Sequence, residues 1–226
     1  MRSRIFGSIV GLRPEWVERY TVLHEHVFPG VLDRLARSNI GNYSIFLGLA
    51  RDDAAVGPAG PALTLFSHLE YTGADHAADM AAMAADETTK QWWTLTDPMQ
   101  VPLPERADGD WWAALPEWHA VEAGESRESG KSGESGGSAE APARRMAFAF
   151  ARPSDLTSDP RARFADAVGE FQASIRTLRG FAARQHVYAY LEAAPEFAPE
   201  AFVEAIDRAL GGSTSPTPLL EVFHLD

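Results

Sequence analysis

Residues 122–143 read EAGESRESGKSGESGGSAEAPA, with no aromatic and no branched aliphatic side chain. Such a stretch cannot bury enough apolar surface to offset the entropy of ordering its backbone, so it predicts a flexible acidic Gly/Ser-rich linker. Its position constrains the fold. It cuts the chain into regions 1–121 and 144–226, each the size of a small domain. Hydrophobic residues make up 45% of the chain, so both regions have material for a packed core.

The N-terminal region alternates element types. A strand over Ile5–Val10 precedes Arg13-Pro14, and a helical pattern then runs from Glu15 to Ser38. Its apolar positions, Trp16, Tyr20, Leu23, Val27, Val31 and Leu35, recur at three- and four-residue spacing. Pro29 inside it predicts a kink or break, because proline removes a helical hydrogen bond and clashes with the preceding turn. Strands follow over Tyr43–Leu49 and Leu63–Tyr71, separated by a loop Arg51–Pro61. A helix over Ala74–Leu95 and a short strand over Trp118–Val121 complete a β-α-β-β-α-β unit, the ferredoxin-like order.

The C-terminal region repeats part of this order. It reads as a strand (Ala147–Ala151), a helix (Arg161–Phe181), a strand (His186–Leu191), a helix (Pro199–Leu210) and a closing strand (Leu219–Leu225). A shift of 144 residues lays QHVYAYLEAA on GNYSIFLGLA and Phe164 on Tyr20, which points to a degenerate tandem duplication with one strand lost. The expected fold class is α+β: tandem ferredoxin-like repeats stacking their open sheet faces into an intramolecular dimeric α+β barrel. Either closing strand, Glu117–Val121 or Leu219–Leu225, fits the first sheet, and exchange between the repeats is one way to reconcile them.

A formal net charge of −12 argues against tracking nucleic-acid phosphates or binding anionic lipid, and leaves a small molecule as the expected partner. The absence of cysteine excludes disulfides, thiol nucleophiles and thiolate metal sites. No apolar run reaches the roughly 20 residues of a membrane span. Met1–Leu12 is too short for a signal peptide, so a cytoplasmic protein is expected, either a monomer with an internal pseudo-dimer or a homodimer.

The segments RYTVLHEHVFPGVLDRL, GNYSIFLGLAR, KQWWTLTDPM and LLEVFHLD resemble the L-rhamnose mutarotase family, dimeric α+β barrels that interconvert sugar anomers. The resemblance spans roughly residues 4–103. It implies that Tyr20 and His24 form a helix-borne catalytic pair, with His24 the proton donor. It also implies that Tyr43, Trp92 and Trp93 contact the sugar, and that Asp97 matches an acidic residue beside them. No cofactor or metal is implied.

The residues are compatible with that chemistry. Tyr20 and His24 stand four apart and project from one helix face. Opening a cyclic hemiacetal needs proton removal at the anomeric hydroxyl and proton delivery at the ring oxygen, and histidine can do either near neutrality. Tryptophan faces suit the C–H side of a sugar. A blander reading makes Tyr20 plain core, and adjacent tryptophans on a helix cannot share one face.

Departures from the family surround His24: Glu25-His26 and Phe28 stand where an Asn-Pro and a Trp are usual. His68 and Glu70 alternate onto one strand face. His24, His26, His68 and Glu70 are therefore expected to approach one cavity as an altered acid–base lining rather than a metal site. In the second region Tyr20, His24 and Tyr43 become Phe164, Val168 and Val187, so no second active site is expected. The leading function is an acid–base isomerase of a deoxy sugar. The alternatives are a cyclase, isomerase or dehydratase acting on a larger hydrophobic specialised metabolite, and a binding protein without catalysis.

Overall fold

Strand β1 (Arg4–Leu12) starts an antiparallel sheet in a computed structural model that describes residues 3–50, 63–122, 143–151, 160–211 and 216–226. The 51–61 loop and residues 123–142 of the expected linker lie outside these. The chain forms two compact units. The first comprises Met1–Glu117, Ala182–Arg184 and Thr217–Asp226, and the second Trp118–Phe181 and Gln185–Pro216.

In the first unit β1 leads through helices α1 (Val17–Glu25) and α2 (Pro29–Arg37) to β2 (Ile40–Ala50) and β3 (Leu63–Tyr71). The long helical pattern is broken where Pro29 takes the first position of α2, a place where its missing N–H costs nothing. The expected helix over Ala74–Leu95 is likewise two helices, α3 (His76–Ala85) and α4 (Glu87–Thr96). Asp86 makes the break. Its extended backbone (ψ 127°) stops α3, and its carboxylate caps α4 by accepting from the Thr89 N–H at 2.9 Å.

Short strands β4 (Gln100–Val101) and β5 (Ala113–Leu115) both pair with β1. β3 lies between β1 and β2, and the outer edge of β2 takes β10 (Thr217–Leu225). The terminal strand therefore belongs to the first unit. One sheet face buries Val10, Leu12, Ile45 and Leu65 with Tyr20 of α1, and a neighbouring cluster joins Val31, Leu35 and Trp92. Full burial of aliphatic side chains this size stabilises by about 1.5–3 kcal/mol each. Strand alternation sends Phe46 and Phe66 to the opposite face, where their rings stack at 6.3 Å.

The second unit has strands β6 (Glu117–Glu122, from Trp118 onward), β7 (Arg144–Ala151), β8 (Ile175–Ala182) and β9 (His186–Ala193), with helices α5 (Pro160–Gly169) and α6 (Pro199–Leu210). Its strand order is β7-β9-β8-β6. A helix over Arg161–Phe181 is not formed: α5 stops at Gly169 and Ile175–Ala182 is a strand. Ile175, Leu178 and Phe181 recur every three residues and imitate a helical face, but all three are buried on a strand of which only three residues are half-exposed. The strand expected to be lost is present as β8, so the described residues after 143 run β-α-β-β-α-β. Since β9 pairs with β7 as β3 pairs with β1, β9 corresponds to β3 and not to β2. Val187 of β9 therefore does not stand at the position of Tyr43 of β2.

Candidate functional site

Helix α1 presents Tyr20 and His24 one turn apart toward the sheet, 1% and 8% exposed. Their rings stack with centroids 4.0 Å apart. The His24 Nδ1–H donates to the Tyr20 carbonyl oxygen at 2.8 Å. A carbonyl can only accept, so this bond places the proton on Nδ1 and leaves the Nε2 lone pair free. Burial lowers the His24 pKa to about 4, although the carbonyl bond favours the charged form. At neutral pH His24 is an uncharged proton acceptor.

The Tyr20 hydroxyl has the opposite polarity. Burial raises its pKa well above the usual tyrosine value, opposed by a hydrogen bond from Gln100. The Trp111 indole N–H, which can only donate, meets the Gln100 Oε1 at 2.7 Å. That contact turns the Gln100 amide so that its Nε2 donates to the Tyr20 Oη at 3.3 Å. Tyr20 accepts from Gln100 and retains its own proton as a donor. Gln100 is held in place by β4, opposite Leu12 of β1.

Tyr43 reaches the same face through a β-bulge. Register slips between Gly41 and Ser44, and Asn42 at the slip has φ +41°, which asparagine tolerates better than most residues. The extra residue sends Tyr43 and Ile45 to the helix side, and burial pushes the Tyr43 hydroxyl up to about 12. Trp92 of α4 meets His24 edge-on at 5.2 Å, and Phe223 of β10 does so at 5.9 Å. Trp92 is buried and Trp93 is 37% exposed, yet both line the cavity.

Two adjoining pockets, the lobes of the site, share His24, Tyr43, Ile45, Trp92 and Trp93 as lining residues. The polar lobe, about 260 Å³, adds Tyr20, Thr96, Asp97, Gln100, Trp111 and Trp112. Burial raises the Asp97 carboxyl within it. The apolar lobe, about 180 Å³, adds Val27 between α1 and α2, aliphatic and methionine side chains from α2, α3, β2 and β3, Phe223 of β10, and the polar Arg34 and Thr89.

The structure thus brings together Tyr20, His24, Tyr43, Trp92, Trp93 and Asp97. Three expected lining residues are elsewhere. His26 is exposed, its Nδ1–H donating to the Val22 carbonyl at 3.0 Å. His68 and Glu70 alternate with Leu69, which lines the apolar lobe, so they point to the opposite sheet face. There His68 bonds the Asn42 carbonyl at 3.3 Å, and Glu70 accepts from the Asn42 side chain at 2.9 Å. Among the described residues no group of three or more His, Asp or Glu could hold a metal ion. Gln100, Thr96 and Phe223 also line the site, and no motif in the sequence marks them as lining residues. Gln100 and Thr96 lie just beyond the tryptophan pair, but nothing in their spacing tells a lining residue from a loop residue.

Fold and cavity define a mixed α+β protein with a small-molecule-sized pocket between an antiparallel sheet and its helices. Residues 6–121 match the sequence model of L-rhamnose mutarotase, and the chain belongs to that family, whose shared activity is sugar-anomer isomerisation. No curated protein matches the chain. Among solved structures, a candidate monooxygenase from Lactobacillus acidophilus NCFM aligns with a TM-score of 0.45 at 8% identity, covering 96% of this chain and 94% of that one. Among the described residues no helix is long and apolar enough to cross a membrane.

Proposed function

We propose that this chain interconverts the anomers of a deoxy sugar, with His24 moving the proton and Tyr20 holding the ring oxygen. The observation that carries this is the opposed hydrogen-bond polarity on one helical turn: an Nε2 lone pair left to accept on His24 beside a hydroxyl on Tyr20 that accepts from Gln100 and keeps its own proton to donate. His24 takes the proton of the anomeric hydroxyl. As the C–O bond to the ring oxygen breaks, the hydroxyl electrons form the aldehyde carbonyl, and the Tyr20 hydrogen bond stabilises the charge growing on the ring oxygen. The imidazolium, strongly acidic in this buried setting, passes its proton to that oxygen. Rotation about the bond next to the aldehyde and reversal of these steps give the other anomer. Proton donation by His24, implied by the family resemblance, is then its second act.

Trp92, Trp93 and Tyr43 form the sugar platform, and Asp97 faces the hydroxyl rim. His26, His68 and Glu70 have no part in this reading. The second unit is read as a degenerate copy without a site, because Phe164 and Val168 of α5, both buried, occupy the helix positions of Tyr20 and His24.

Two-dimensional exchange NMR of L-rhamnose tests the assignment. The wild-type protein accelerates α/β exchange, and His24→Ala abolishes the acceleration. Tyr20→Phe lowers the rate about a hundredfold, the usual loss for a donor aimed at developing charge. No acceleration with any 6-deoxy sugar at high substrate concentration sinks the reading.

A further inference from the structure

The two lobes of the cavity suit different chemistry. A hydroxylated ring finds partners in the polar lobe, where Tyr20, Asp97 and Gln100 carry hydrogen-bonding groups. The apolar lobe has Val31, Leu35, Ile40, Leu69, Met80 and Met83 in its wall. Among the described residues, the polar side chains that join it from outside the shared waist are Arg34 and Thr89. The Thr89 hydroxyl bonds Asp86 at 3.0 Å, and the Arg34 Nε bonds Ser38 at 3.1 Å. Apart from the remaining Arg34 N–H groups, little that this lobe adds to the shared waist offers a sugar hydroxyl a partner.

Size matters as much as lining. An apolar cavity of about 150 Å³ stays dry and accepts benzene. This lobe is about 180 Å³. The methyl group of a 6-deoxy sugar, comparable with a water molecule at roughly 30 Å³, leaves most of it empty. Its roof is adaptable: no residue of α3 is buried, and α3 covers the lobe with Met80 and Met83, one turn apart. Unbranched thioether side chains reshape around a ligand at low cost.

We propose that the apolar lobe binds an apolar substituent of the substrate, an aryl or alkyl group of roughly benzene size, attached to a hydroxylated ring whose anomeric centre lies at His24. The substrate is then a hydrophobically substituted deoxy sugar rather than a bare monosaccharide. The chemistry at His24 rests on the isomerase reading above; occupancy of the lobe does not.

Two measurements on the full chain separate these claims. In the first, benzyl alcohol is titrated into protein carrying ¹³C-methyl methionine. Saturable shifts of both the Met80 and Met83 methyls are expected, and Met83→Trp, which fills the lobe, removes the shift at Met80. In the second, anomer exchange is compared for L-rhamnose and a 6-deoxy sugar with a phenyl group at C6. A KM at least tenfold lower for the phenyl sugar is expected, and Met83→Trp raises it. Methyl shifts without exchange of either sugar support the lobe and overturn the isomerase reading. Exchange with equal KM values and no saturable shift overturns the lobe. The wild-type measurements decide both points even if the variant does not fold.

Discussion

At the scale of residues, the site turns on where protons can reside. His24 is expected to act as a base with its pKa near 4, so the acidic limb of kcat/KM falls near pH 4 rather than 6.5. A limb at 6.5 in the free enzyme contradicts burial as the controlling force. The same shift acts on stability. Between pH 6.5 and 4 the unfolded chain binds the extra proton, so stability present above 6.5 is lost as pH falls toward 4, by about 3 kcal/mol for this group. Urea midpoints at pH 7 and pH 5 for wild type and His24→Gln measure it, with a smaller pH dependence expected in the variant. Gln100 positions Tyr20 rather than touching the reaction. Gln100→Leu is expected to lower kcat about fivefold, by loss of a hydrogen bond worth about 1 kcal/mol, with little change in KM. Equal losses in KM and kcat/KM would assign it a binding role instead. Tyr20 and His24 were legible because a four-residue spacing fixes a shared helix face. The Gln100 bond joins residues 80 apart, a separation no local pattern encodes.

Element by element, polar residues decide where structure stops and which way it faces. Asp86 ends one helix and caps the next, so Asp86→Ala is expected to lose about 1 kcal/mol and a few degrees of Tm, measurable by calorimetry. No change in Tm would mean that the Thr89 N–H finds another acceptor. The bulge at Asn42 had a larger effect on what the sequence could tell. His68 and Glu70 were rightly placed on one strand face by alternation. Which face that was depended on the register between β2 and β3, and the bulge shifts it by one residue. The helical break at Pro29 was legible because proline acts locally. The strand Ile175–Ala182 was not, since its buried residues match both periods over so short a run.

For the whole molecule, composition marks a break at 122–143, but the compact units do not divide there. The second already begins at Trp118, so the strand over Trp118–Val121 expected to close the first region belongs to it, and Thr217–Asp226 belongs to the first. The sheet edge of β2 is closed by β10, and Ser44 bonds His224 across it at 2.8 Å. Phe223 of β10 packs on both His24 and Tyr43. Deleting Thr217–Asp226 is therefore expected to expose the edge of β2, remove one cavity wall and abolish ligand binding. Loss of the cooperative near-ultraviolet melt of the first unit checks this; an unchanged melt would show that the unit stands without β10.

The late arrival of β10 has a consequence for synthesis. Ser44 and His224 are 180 residues apart, so the edge of β2 stays open on the ribosome while the whole second unit emerges. Loop-closure entropy rises only slowly with such a separation, but an unpaired edge invites wrong partners for as long as it waits. Tyr43 and His24 can take their places early in translation; the pocket they line gains its Phe223 wall only when the β10 segment leaves the exit tunnel.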